Sequence, residues 1–173
     1  MTVPRRIVLI GPMGAGKTTI GKALAKELSF EFVDSDREIE RRCGTDIPWI
    51  FDVEGEAGFR ERESAVIEEL SQRAGIVLAT GGGAVIQPEN RRHLARDALV
   101  VYLQTSVDQQ FERTRKDRHR PLLQRENPRQ ILQDLLEKRD PLYREIATII
   151  ISTDSRRPKA VIREIVEAFE RGL

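Results

Sequence analysis

The sequence predicts an α/β fold, a parallel sheet covered by helices on both faces. Two observations carry that prediction. Five short apolar runs, each of strand length, alternate with stretches that repeat apolar residues at helical spacing, and short loops join them. The first run leads straight into a glycine-rich loop and then a helical pattern, the order in which a strand delivers a phosphate-binding loop to a helix N-terminus. A chain of 173 residues has room for one such domain with a sizeable core, taken here as residues 1–173.

The elements follow in order. Ile7-Val8-Leu9-Ile10 is uniformly apolar, as a strand buried on both faces should be. Gly11-x-x-x-x-Gly16-Lys17-Thr18 comes next. Glycines there let the backbone curl around an anion with its N–H groups aimed at the oxygens; Lys17 reaches the outer phosphates and Thr18 offers a hydroxyl to magnesium. Ile20, Leu24 and Leu28 give the next helix one apolar stripe. Phe30-Glu31-Phe32-Val33 is the second strand, ending at Asp34-Ser35-Asp36, and a helix from Arg37 to Arg42 stops at Gly44. Ile47, Trp49, Ile50 and Phe51 form an apolar cluster before Gly55, and a long helix from Glu56 to Arg73 turns Phe59, Val66, Ile67 and Leu70 inward. Ile76-Val77-Leu78-Ala79 is the third strand and delivers Thr80-Gly81-Gly82-Gly83. Pro88 opens a helix that ends near Asp97. Leu99 to Leu103 is the fourth strand, and a helix from about Val107 runs into the basic stretch Arg113 to Arg120. Ile131, Leu132, Leu135 and Leu136 mark another helix leading to Arg139-Asp140-Pro141-Leu142-Tyr143. Thr148 to Ile151 is the fifth strand, and the last helix carries Val161, Ile162, Ile165, Val166 and Phe169 on one face. The polar stretch from Arg113 to Pro128 has no apolar stripe and reads as a mobile flap.

Composition narrows the function classes. Lys and Arg number 29 against 28 Asp and Glu, a net charge of +1, which gives no global field for holding nucleic acid or an anionic membrane. The single cysteine, Cys43, has no neighbour for a disulfide or a metal site and suits a reducing compartment. The N-terminal run has no apolar core for a signal peptide, and no apolar run reaches membrane-spanning length. A cytoplasmic protein without nucleic-acid or membrane partners is the expectation.

Ligands of such sheets bind beyond the carboxyl ends of the strands, and three strand ends here carry unusual residues. Beside the phosphate loop, Asp34 is placed to hold magnesium and Asp36 to accept a hydrogen bond from a substrate hydroxyl and help remove its proton. The alternative is that both carboxylates cap the following helix. Gly81-Gly82-Gly83 is either a plain turn or a place where a ligand approaches the backbone closely. By pattern alone, Phe59-Arg60-Glu61-Arg62-Glu63 and Arg139-Asp140-Pro141-Leu142-Tyr143 are ordinary charged helix surface. The basic stretch 113–120 is short and lacks interleaved aromatics, so arginines closing on phosphates explain it more economically than nucleic acid.

Taken together, Gly11-Pro12-Met13-Gly14-Ala15-Gly16-Lys17-Thr18, Asp34-Ser35-Asp36, Phe59-Arg60-Glu61-Arg62-Glu63, Gly81-Gly82-Gly83, Arg120-Pro121-Leu122-Leu123 and Arg139-Asp140-Pro141-Leu142-Tyr143 resemble the motifs of bacterial shikimate kinases. They run in order, at the expected spacing, from the first strand to the last helix. The resemblance implies a three-layer P-loop kinase fold of the nucleoside-monophosphate-kinase type, with a five-stranded parallel sheet, a shikimate-binding region at about 35–62 and a mobile lid at about 113–127. It implies phosphorylation of the 3-hydroxyl of shikimate by ATP with Mg2+, a step of aromatic amino-acid biosynthesis, in a monomer. On matching positions, Lys17, Asp36 and Arg120 are the catalytic residues, with Thr18 and Asp34 on the metal. Gly14, Ala15, Gly16, Lys17, Thr18, Thr19 and Arg120 serve the nucleotide, while Arg113 and Pro158 flank adenine with Arg156 nearby. Asp36 meets the shikimate hydroxyls and Arg60 and Arg139 its carboxylate; Gly82 and Gly83 supply backbone contacts, with Gly81 also on the substrate, and Phe59 and Ile47 are the walls.

Two rivals share the fold. A gluconate kinase would not need the two arginines and the Asp36 motif. A guanine-nucleotide switch would carry Asn-Lys-x-Asp, and Lys follows neither Asn90 nor Asn127.

Overall fold

The structure, a computed structural model, describes residues 4–115 and 126–173. Among the described residues five strands alternate with helices: β1 (Arg6–Ile10), α1 (Lys17–Leu28), β2 (Glu31–Asp34), α2 (Ser35–Cys43), α3 (Ile47–Leu70), β3 (Ile76–Ala79), α4 (Pro88–Ala95), β4 (Ala98–Gln104), α5 (Val107–Thr114), α6 (Pro128–Ile146), β5 (Ile149–Ser152) and α7 (Pro158–Glu170). The strands form one sheet in the order β2-β3-β1-β4-β5, every pairing parallel. β1 sits at the centre, with Ile7 opposite Val77 of β3 on one side and Leu99 of β4 on the other.

All five residues of β1 are buried, and their alternation splits the interior in two. Val8 and Ile10 face a core with Ile39, Phe59, Ile67, Leu94 and Tyr143. Ile7 and Leu9 face the other, with Ile20, Leu24, Val161 and Ile165 from α1 and α7. The sheet is thus sandwiched, and its five parallel strands match the fold that the resemblance implies.

Most predicted elements are present, with shifts that have local causes. α2 starts at Ser35, two residues before the expected Arg37, because the Asp34 side chain caps it by accepting from the N–H groups of Asp36 and Arg37. The apolar cluster before Gly55 is itself helical: α3 begins at Ile47, capped by Asp46, and is interrupted only at Gly55 (φ 73°, ψ 178°), a conformation that needs glycine. Trp49 does not join the cluster's core; it is 58% exposed. α6 continues through Pro141, so Arg139 and Tyr143 lie one turn apart on the same buried face. Arg113 falls inside α5, whereas the rest of the expected lid up to residue 125, Arg120 included, lies outside the described residues. No described helix is long and apolar enough to cross a membrane.

Candidate active site

The loops leaving β1, β2 and β3 meet at one end of the sheet. Gly16 forms the N-cap of α1 at φ 93°, with no side-chain cap, so the first N–H groups of the helix are left for an anion. Lys17 lies along the loop, its Nζ donating to the carbonyls of Gly11 (2.5 Å) and Pro12 (2.9 Å). At the end of β2 the two Asp34 oxygens do different things. Oδ1 caps α2, at 2.9 Å from the Asp36 N–H, while Oδ2 accepts from Thr18 Oγ1 across 3.5 Å. Two oxygen donors facing each other beside a phosphate loop fit magnesium, which takes few protein ligands and completes its shell with water and phosphate. Among the described residues no group of three or more His, Cys, Asp or Glu gathers into a metal cage.

The glycine turn after β3 is where the distant motifs converge. A Cβ on Gly81 would stand 2.7 Å from Asp36 Oδ1, one on Gly82 3.4 Å from Arg139 Nη1, and one on Gly83 2.6 Å from Arg60 Nη1. Each glycine therefore lies beneath one charged side chain, and at Gly81 and Gly83 a larger residue would displace it. The turn's carbonyls are all engaged: Gly81 and Gly83 accept from the N–H groups of Ala84 and Ile86, and Gly82 accepts from the Tyr143 hydroxyl at 2.5 Å. The N–H groups of Gly82 and Gly83 bond to no described residue. The residues that approach these glycines closely are side chains of this chain, Asp36 and Arg60 above all.

Charge around the turn is unevenly paired. Glu63, 1% exposed, accepts from Arg60 Nη1 at 2.9 Å; burial pushes its carboxyl up, and the facing guanidinium opposes that. Arg139 is 8% exposed, yet among the described residues it forms no ion pair with a carboxylate. Burial and the like charge of Arg60 lower its pKa, although a guanidinium remains protonated at neutral pH. Phe59 is buried behind Arg60, whose guanidinium lies 5.2 Å from the ring centre, and Ile47 packs against the same core. Sequence reasoning gave no role to Glu63 or Tyr143. The signal that points to them is spacing, since each stands one helical turn from an arginine of the site, Glu63 three residues after Arg60 and Tyr143 four after Arg139.

A cleft of about 210 Å³ opens on the other side of the phosphate loop. Ala15, Gly16, Thr19, Arg113, Arg156 and Pro158 line it, so the three residues expected around adenine do come together. Arg113 ties it to the loop through a 2.7 Å bond to the Gly14 carbonyl, and Arg156 pairs with Glu164 at 2.9 Å. A larger cleft of about 530 Å³, between α6 and the ends of β4 and β5, contains none of the expected site residues. Volume alone does not locate this site.

Residues 13–170 match the family model described as Shikimate kinase, far more than half of the chain. The chain belongs to the shikimate kinase family. The shikimate kinase of Hahella chejuensis is 65% identical over 165 residues, 95% of this chain and 86% of that one. A solved shikimate kinase from Acinetobacter baumannii, in complex with shikimate, is 53% identical with a TM-score of 0.94, covering 98% of this chain and 94% of that chain. A gluconokinase from Sinorhizobium meliloti superposes at a TM-score of 0.64 with 19% identity, a likeness of fold alone. As a shikimate kinase family member, the chain phosphorylates shikimate with ATP as co-substrate, a step in aromatic amino-acid biosynthesis.

Proposed function

We propose that this site transfers the γ-phosphoryl group of ATP to the 3-hydroxyl of shikimate, with Arg60 and Arg139 gripping the substrate's carboxylate. The observation that carries this reading is Arg139: a buried guanidinium beside a second one, with no described carboxylate paired to it. A buried charge in that position is stabilised by an anion, and a planar fork suits a carboxylate. The N–H groups of Gly82 and Gly83 add donors to the same anion, while Gly81 leaves room for Asp36 and Phe59 and Ile47 wall the pocket.

The carboxylate, once held, orients the ring so that the 3-hydroxyl meets Asp36, which accepts its hydrogen bond and takes its proton as the new O–P bond forms and the bond to ADP breaks. Lys17 exchanges its carbonyl partners for the outer phosphates, and Arg120 faces the charge that develops during transfer. Gly14, Ala15, Gly16, Thr18 and Thr19 cradle the phosphates, with adenine between Arg113 and Pro158 and Arg156 alongside. Thr18 and Asp34 would hold Mg2+, which when bound supplies positive charge to the phosphates. The whole chain acts as a single kinase domain, a cytoplasmic monomer, with residues 35–62 receiving shikimate and 113–127 closing as a lid that keeps water out.

A coupled assay for ADP with Mg-ATP and shikimate, quinate or gluconate tests this reading. Shikimate should be turned over at least a hundredfold more efficiently than gluconate, roughly the discrimination expected when a site's charged donors are left unpaired. Turnover with gluconate and none with shikimate would overturn it.

A further inference from the structure

Tyr143 touches no reacting group, yet its hydroxyl is committed. It donates to the Gly82 carbonyl at 2.5 Å, and a Cβ on Gly82 would meet both the Arg139 guanidinium, one turn earlier on α6, at 3.4 Å and the Tyr143 oxygen at 3.7 Å. The ring is fully buried and packs against Tyr102 with centroids 4.9 Å apart; the Tyr102 hydroxyl is itself fixed by Asp140 at 2.7 Å. The phenol therefore has one place to be. Because a peptide is planar, drawing the Gly82 carbonyl toward Tyr143 aims the Gly83 N–H the opposite way. Gly83 is the buried glycine under the Arg60 guanidinium, and its N–H bonds to no described residue.

Three glycines in a row have no side chains to set the orientation of their peptides, and glycine reaches both signs of φ with little penalty. A turn of this composition needs an external hold if its N–H groups are to face a ligand. We propose that Tyr143 is that hold, a positioning residue that sets the Gly82–Gly83 peptide beside the Arg139 fork for the substrate carboxylate. The inference rests on the reading that this carboxylate lies between Arg60 and Arg139. It assigns α6 two tasks one turn apart, carrying a guanidinium and orienting the backbone donor beside it. It also accounts for a tyrosine where phenylalanine would fill the same apolar space.

The test is Tyr143→Phe, which removes a single oxygen and keeps the ring contact. The KM for shikimate should rise about tenfold, the usual consequence of leaving a part-buried carbonyl without its donor, while the KM for ATP and kcat at saturation change less than twofold. A merely structural tyrosine would lower Tm or kcat without separating the two KM values. Arg139→Lys and Arg60→Lys serve as controls. If they raise the KM for shikimate and Tyr143→Phe does not, the inference is overturned and the clamp stands; if neither raises it, the clamp itself is wrong and the inference falls with it. Should Tyr143→Phe fail to fold, wild-type protein labelled with 15N-glycine decides: adding shikimate must shift the Gly83 amide resonance and slow its exchange. An unmoved Gly83 amide overturns the inference.

Discussion

Lys17 and Arg139 show how differently two cations serve one site. Lys17 is partly exposed and lies on two carbonyls of its own loop, contacts that a flexible ammonium exchanges readily. Lys17→Met should therefore fold normally and bind shikimate with near-normal affinity, yet lose at least a thousandfold in kcat, because the charge acts on the transferring phosphoryl group. Steady-state kinetics alongside a thermal melt checks this; near-normal turnover would mean that the loop is not catalytic. Arg139 is held by burial, so its contribution is geometric as well as electrostatic. The carboxylate Asp34 was open to two readings in the sequence because a cap and a metal ligand ask for the same residue at a strand end. In the structure one oxygen caps α2 and the other faces Thr18, a division that sequence cannot express.

At the scale of elements, α2 and α3 carry Asp36, Ile47, Phe59 and Arg60 and are held by local devices. Glu38 accepts from Arg41 and Arg42, and these hydrogen bonds hold its carboxyl down at about 2 against an ordinary 4.5. A depressed folded value means the stabilisation is present above 4.5 and is lost as pH falls toward 2. Solvent screening limits such a pair to about 0.2–1 kcal/mol, so Glu38→Gln should lower stability at neutral pH by no more than that. Its unfolding free energy, measured by urea titration, should converge with wild type as pH falls through this window. Gly55 interrupts α3 at a φ/ψ pair that is essentially reserved for glycine, while the Glu54–Arg62 pair (2.6 Å) spans the break. Gly55→Ala should cost about 1–3 kcal/mol by the same urea titration. The strands and α1 were legible because burial writes itself into apolar runs, and β3 falls on the expected residues. Less was legible where chemistry and periodicity disagree. The apolar cluster before Gly55 has no element assigned from the sequence, yet it is helical and Gly55 lies inside α3. Tyr143 and Gly82, 61 residues apart, meet only once α6 is packed against β3's turn, and no local pattern records that contact.

At the scale of the molecule, a central strand that feeds two cores fixes three loop-bearing strand ends side by side, and the site is what those loops carry. The same sheet serves a gluconokinase, so fold alone leaves the acceptor open. In the proposed function the acceptor is chosen by Arg60 and the buried Arg139 over the glycine turn, residues 79 positions apart that the resemblance assigned to one anion. Each single replacement by alanine should weaken shikimate binding by roughly ten- to a hundredfold, from about 1.5–3 kcal/mol per charged hydrogen bond, with the double variant losing less than the sum. The most direct measurement compares shikimate with its methyl ester in the wild type and in the Arg60→Ala, Arg139→Ala double variant. Esterification should lower kcat/KM of the wild type by about a hundredfold or more and barely change the double variant; an ester phosphorylated as well as the acid by the wild type would contradict the account.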